Sequence, residues 1–109
     1  MEKELKKYLD KGMKFDGDKL RMDLVPIPAI KAMAMGFGYG AKKYGEWNWR
    51  YFKKEDWKRL YAACLRHLFA WWEGEEIDEE SELHHLVLAT CEIAMLTSLV
   101  VFDYGLEGE

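Results

Sequence analysis

Residues 70–86, AWWEGEEIDEESELHHL, hold seven carboxylates: Glu73, Glu75, Glu76, Asp78, Glu79, Glu80 and Glu82. Two tryptophans precede them and two histidines follow. Like charges this dense repel unless something positive sits among them. Clustered acids on helices suit a hard cation, because Mg2+ takes oxygen ligands and keeps waters to share with phosphate oxygens. A charge run of this kind is ordinarily a solvated turn between helices. Two residues outside it favour the metal. His67 lies on the stripe Leu60, Cys64, His67, Trp71, which should face a core. Glu92 is the one charge in residues 86–102. A buried carboxylate is costly unless paired or metal-bound. His85 and Glu92 are two helical turns apart, and Asp78 and Glu82 extend the same face if the helix is unbroken.

The plainer account is available for each. A histidine on an apolar face is ordinarily a satisfied core residue, and Glu92 has Arg66 or His67 as a structural partner. No HExxH or paired CxxC spacing is present. Elsewhere, Lys14, Lys19 and Arg21 cluster in the N-terminal segment and Arg66 precedes His67; all four suit phosphate. Trp47, Asn48 and Trp49 form a loop that can stack on a base and read its edge. Trp57, Trp71 and Trp72 read as core.

A chain of 109 residues, half of them hydrophobic, is expected to form one domain with a modest core. Its net charge of -4 excludes the basic footprint of a nucleic-acid scaffold. Cys64 and Cys91 sit in apolar helical patterns and read as reduced core residues of a cytosolic protein. The charged start, MEKELKKYLDKG, lacks the apolar stretch of a signal peptide, so a cytoplasmic location is expected. The apolar run 86–102 is close to the lower limit for a membrane span. It reads instead as a buried bundle helix, and no membrane partner is expected.

The elements that must position these groups are helical. Residues 1–11 read as a short charged helix or arm, and 12–28 as irregular. Pro28 suits a helical first turn, opening a helix over 29–39. GYGAKKYGEWNW then reads as a broken helix or helix plus loop. Residues 54–72 give the clearest helix, stopped by Gly74. Asp78 is expected to cap a last helix over 79–102. The fold class is therefore all-α: a small bundle (29–102) behind an arm and irregular segment (1–28). The last helix, apolar nearly all round, needs more partners than one chain offers, so a homo-oligomer, dimer or larger, is expected to complete it.

Four blocks together resemble the dATP/dGTP diphosphohydrolase family of phages and prophages, related in reaction type to MazG-like nucleoside triphosphate pyrophosphohydrolases. KFDGDKLRMDLVP (14–26) resembles K-F-D-x-G-K-x-R-x-D-L-x-P, and GAKKYGEWNWR (40–50) resembles G-A-x-K-Y-G-x-x-N-W. RLYAACLRHLFAWWEGEEID (59–78) resembles a helix ending in R-H-x-x-A-x-x-x-G-E-x-x-D. EESELHHLVLATCE (79–92) resembles x-E-S-G-x-x-H-L-x-H-A-x-x-N. The chain departs from these patterns at Asp18 and Glu82, where the family has Gly. It departs also at Leu88, which replaces the second His, and at Glu92, where Asn is frequent.

The resemblance implies hydrolysis of a purine deoxynucleoside triphosphate to monophosphate and pyrophosphate, with Mg2+ or Mn2+ as cofactor, in the host cytoplasm if phage-encoded. It implies Glu75, Asp78, Glu82 and Glu92 as metal ligands, with His67 and His85 binding phosphate or orienting water. Lys19, Arg21 and Arg66 would hold the phosphate tail, and Lys43, Tyr44, Asn48 and Trp49 the base. Two other readings stay open. One is a non-enzymatic helical module that docks a protein through its acids. The other is a transition-metal protein using His67, His85 and Glu92, since imidazole suits Fe, Mn or Zn.

Overall fold

The computed structural model describes residues 19–107. The expected N-terminal helix or arm, 1–11, lies outside the described residues. Among the described residues three α-helices carry the fold: α1 (Ile27–Tyr44), α2 (Trp57–Trp72) and α3 (His85–Leu96). No strand occurs among the described residues, only an isolated antiparallel bridge between Ile77 and His84. The all-α class follows.

Helix α1 opens with Pro28 in its first turn, where a missing N–H costs nothing. It runs on to Tyr44, past the expected end at residue 39. Gly38 and Gly40 weaken a helix without forbidding it, and Lys42 and Lys43 suit the negative end of its dipole. Gly45 stops it at φ 101°, its N–H bonded to the Ala41 carbonyl at 2.8 Å. A 3-10 turn, Asn48–Tyr51, follows. A second, Lys54–Asp56, leads directly into α2, as expected from the sequence. Gly74, at φ 107°, ends the chain's reversal after α2, its N–H on the Trp71 carbonyl.

The last helix departs most from expectation. It begins at His85 rather than near residue 79, and continues through a π-helical turn, Thr97–Val101. Its N-cap is His84, whose ring nitrogen accepts the Leu86 N–H at 3.0 Å. Asp78 is not the cap. Its carboxylate closes a tight turn instead, accepting both the Ser81 N–H (2.9 Å) and the Ser81 hydroxyl (2.8 Å). Glu82 then adopts φ 63°, left-handed backbone that breaks any helix there. That is the position where the resembling family carries Gly, the residue such backbone favours.

Helix α3 lies between the other two, packing most extensively on α2 and also on α1. Leu60, Cys64, Ala89, Cys91 and Leu99 form the small apolar core. Both cysteines are free and buried, as expected. Gly36 lets α1 approach α3: a Cβ there would meet Cys91 Sγ at 2.4 Å. Among the described residues no helix is long and apolar enough to cross a membrane.

Candidate functional site

Because α3 lies between α1 and α2, the space above it is a cleft of about 1110 Å³. Its walls are the C-terminal half of α1, the Trp47–Trp49 loop and α2, and its floor is the Leu88–Glu92–Met95 face of α3. Five of the expected substrate-binding residues line it: Lys43, Tyr44, Asn48, Trp49 and Arg66. His67, Asp78 and Glu92 line it too. Lys19 and Arg21 are exposed before α1 and are not among the lining residues. Arg21 is engaged with Asp23 through bonds of 2.9 and 2.8 Å.

The two histidines meet across α2 and α3. His67 Nδ1 and His85 Nδ1 are 2.8 Å apart, with ring centroids at 5.0 Å. At that distance one ring can donate to the other, the roles being set by their tautomers. Each ring turns its other nitrogen toward a carboxylate. His67 Nε2 is 3.8 Å from Glu92 Oε2, and His85 Nε2 is 3.7 Å from Glu75 Oε1. Both separations exceed a hydrogen bond. His85 is only 5% exposed, and its Nε2 and Glu92 Oε1 are buried without a hydrogen-bonding partner.

Burial sets the charges here. It pushes Glu92 up to about 7, against the pull of Arg66 and with help from Asp78. Burial also lowers His67, with His85 and Arg66 adding to it and Asp78 opposing. The His67–Glu92 contact is therefore better described as a neutral pair than as a salt bridge. Asp78 goes the other way: burial raises it, but the two Ser81 hydrogen bonds and the nearby histidines outweigh that and hold it below the usual carboxylate range. Burial, with Glu92 adding, keeps the Cys91 thiol up at about 11, so it stays protonated.

The carboxylates expected to share a metal do not all converge. Among the described residues, one ligand atom each from His67, Asp78 and His85 lies within 4.8 Å of the others. Glu75 stands behind His85, and Glu82 is exposed on the left-handed turn. The break before α3 explains this: Asp78 and Glu82 leave the helical face of His85 and Glu92, and only Asp78 returns to the histidines.

The sequence singled out neither the partner of Glu80 nor Lys58 and Arg59, which the fold brings to the cleft. Glu80 pairs with Lys43, and Lys58 and Arg59 join the wall. Trp47 is 55% exposed, lines the cleft and sits at φ 62°, a strained conformation for tryptophan. Its loop is held by the chain's end. Arg50 Nε donates to the Tyr104 carbonyl at 2.8 Å, and its guanidinium lies 3.7 Å from the Tyr104 ring centroid. The Tyr104 ring in turn lies 6.3 Å from Trp47 and 6.1 Å from Trp49, centroid to centroid. The Gly40–Gly45 punctuation marked a loop nearby, but no periodicity ties residue 50 to residue 104.

A relative from Salmonella phage PMBT28, itself called a dATP/dGTP diphosphohydrolase, is 34% identical over 74 residues. The match covers 68% of this chain and 24% of the relative, so the chain spans about a quarter of that protein. No solved structure matches. The family model described as dATP/dGTP diphosphohydrolase, N-terminal, matches residues 10–107, nearly the whole chain, and the chain belongs to that family.

Proposed function

We propose that the chain hydrolyses dATP or dGTP to the deoxynucleoside monophosphate and pyrophosphate, with Mg2+ as the metal and Mn2+ as its substitute. One observation carries the reading: a single cleft joins an aromatic end, Trp47 and Trp49, to a polar group of His67, Asp78 and Glu92. Its volume suffices for a nucleotide. The family's description and the phage relative's name, dATP/dGTP diphosphohydrolase, support hydrolysis of these nucleotides.

The donor set fits Mg2+ in part. Asp78 and Glu92 are carboxylates lining the cleft, and Glu92 Oε1 is a buried oxygen without a hydrogen-bonding partner. Mg2+ commonly takes one or two carboxylates and completes its shell with water and substrate phosphates. When bound, the ion would neutralise charge developing on the phosphate oxygens. The chain's own residues do the rest. Trp47 and Trp49 flank the base, and Asn48 offers an amide to its edge. Lys43 and Arg66 hold the phosphates from opposite walls. Glu92 takes the proton of the attacking water, with His67 Nε2 3.8 Å from its Oε2. Water oxygen bonds to the α-phosphorus, the bond from it to the bridging oxygen of the β-phosphate breaks, and pyrophosphate leaves.

The working unit in this proposal is a homo-oligomer. Tyr61, Phe69 and Trp72 on α2, Ile93 on α3 and Val101 in the π-helical turn after it are exposed large apolar residues. A second copy covering them would supply the burial that one chain lacks. A nucleotide hydrolase of this kind would act in the cytoplasm, where its substrates are.

Incubating the purified chain with deoxynucleoside triphosphates and Mg2+ tests the reaction. Equal amounts of monophosphate and pyrophosphate are expected from dATP or dGTP. Release of diphosphate and inorganic phosphate, or no cleavage with either Mg2+ or Mn2+, overturns it and returns the cleft to a binding role.

A further inference from the structure

We infer that His67, Asp78 and His85 form a resident site for a first-row transition-metal ion, next to the place proposed for Mg2+ and sharing Asp78 with it. The geometry of the two imidazoles points there. Their Nδ1 atoms converge from different helices to 2.8 Å, while each Nε2 faces outward to a carboxylate, Glu92 for His67 and Glu75 for His85. Metal-binding histidines show this division of labour: one nitrogen on the ion, the other turned to an acidic group that fixes tautomer and orientation. A structural pair would need only one hydrogen bond, and would not explain why both rings present their outer nitrogens to acids.

Asp78 supplies the third donor, within 4.8 Å of both rings. It is held in place beforehand. Ser81 binds its Oδ2 twice, its own N–H bonds the Leu83 carbonyl at 2.8 Å, and its carbonyl takes the Glu82 N–H at 2.8 Å. His85 is more than nine-tenths buried, and its Nε2 has no hydrogen-bonding partner. An imidazole buried this way is stabilised by coordination at its other nitrogen. Two imidazoles and one carboxylate suit Mn, Fe, Co or Zn, whereas Mg2+ prefers an all-oxygen shell. The protein provides three donors, leaving positions for water or a phosphate oxygen.

The test needs no nucleotide, so its outcome is separate from that of the proposed reaction. Chelator-stripped protein is titrated with Co2+ and followed by visible absorption, then challenged with millimolar Mg2+. One Co2+ per chain is expected, retained against Mg2+. His67→Gln and Asp78→Asn, checked for folding by circular dichroism, should weaken Co2+ binding at least a hundredfold. Glu75→Gln, which removes only the group behind His85, should weaken it about tenfold. Substoichiometric binding, displacement by Mg2+, or parental Co2+ affinity in folded His67→Gln would each overturn the assignment.

Discussion

In the proposed reaction Glu92 is the base on the cleft floor, and burial there opposes its charge. Burial raises it to about 7 from an ordinary 4.5, so the folded state holds its proton more tightly than the unfolded chain. Between those two values the metal-free protein must lose stability as the pH rises, because the folded state binds the extra proton. His67, lowered by burial, acts oppositely: its contribution is lost as the pH falls. The Glu92 part is isolated by comparing urea unfolding of the parent and Glu92→Gln in chelator at pH 5 and pH 8. The variant is expected to gain on the parent toward pH 8, and equal differences at both pH values would remove the burial argument. Under turnover conditions the same variant should be at least about a hundredfold slower, roughly 2.7 kcal/mol in the barrier. A rate within a few fold of the parent would return Glu92 to a structural role. At the other end of the cleft, Trp47→Ala should raise KM for the nucleotide about tenfold and leave kcat within about threefold, since stacking on one aromatic side chain is worth about 1–3 kcal/mol. Steady-state kinetics separate this from a fall in kcat alone, which would place Trp47 outside the base site. Glu92 and His67 were legible in the sequence because each interrupts an apolar helical pattern. Trp47 was less so, because its importance lies in a left-handed backbone and a clamp from residue 104 that no local spacing reveals.

Gly36 and Cys91 set how closely α1 can lie on α3, and with it the width of the cleft. A methyl group at Gly36 would meet Cys91 Sγ at 2.4 Å, and that thiol is pinned by its contact with the Met33 carbonyl. Gly36→Ala should therefore cost about 1–3 kcal/mol in chemical unfolding, the range for overpacked cores. Adding Cys91→Ala should recover most of it. A Gly36→Ala protein as stable as the parent would mean that α1 has room to move away. The helices themselves were readable from period and punctuation: α2 begins where its turn of 3-10 helix leads in, and Gly74 stops it. The start of α3 was not. A run of acids looks the same whether it forms a helical first turn or a loop, and Asp78 makes a good cap in either. What decides is the left-handed residue at Glu82, visible in sequence only as the place where the resembling family has Gly. Misplacing that start put Asp78 and Glu82 on one helical face with His85, and so grouped acids that the fold separates.

The molecule as a whole leaves much apolar surface outside. Trp72 is 79% exposed, Phe69 60% and Tyr61 58%, and these three recur on one face of α2. The sequence placed the demand for burial on α3, whereas the largest exposed side chains of the helical core lie on its neighbour. Light scattering at micromolar concentration should give a multiple of the 12.9 kDa chain mass, and Phe69→Glu should shift the population toward the monomer. A parent that already runs as a monomer would contradict a shared face. The larger claim is that this cleft directs water at the α-phosphorus of a purine deoxynucleoside triphosphate. It is tested most directly by running the reaction with Mg2+ in heavy-oxygen water and weighing the products. The account predicts one heavy oxygen in the monophosphate and none in the pyrophosphate. Label in the pyrophosphate, or in inorganic phosphate, would mean that water attacks elsewhere and would contradict it.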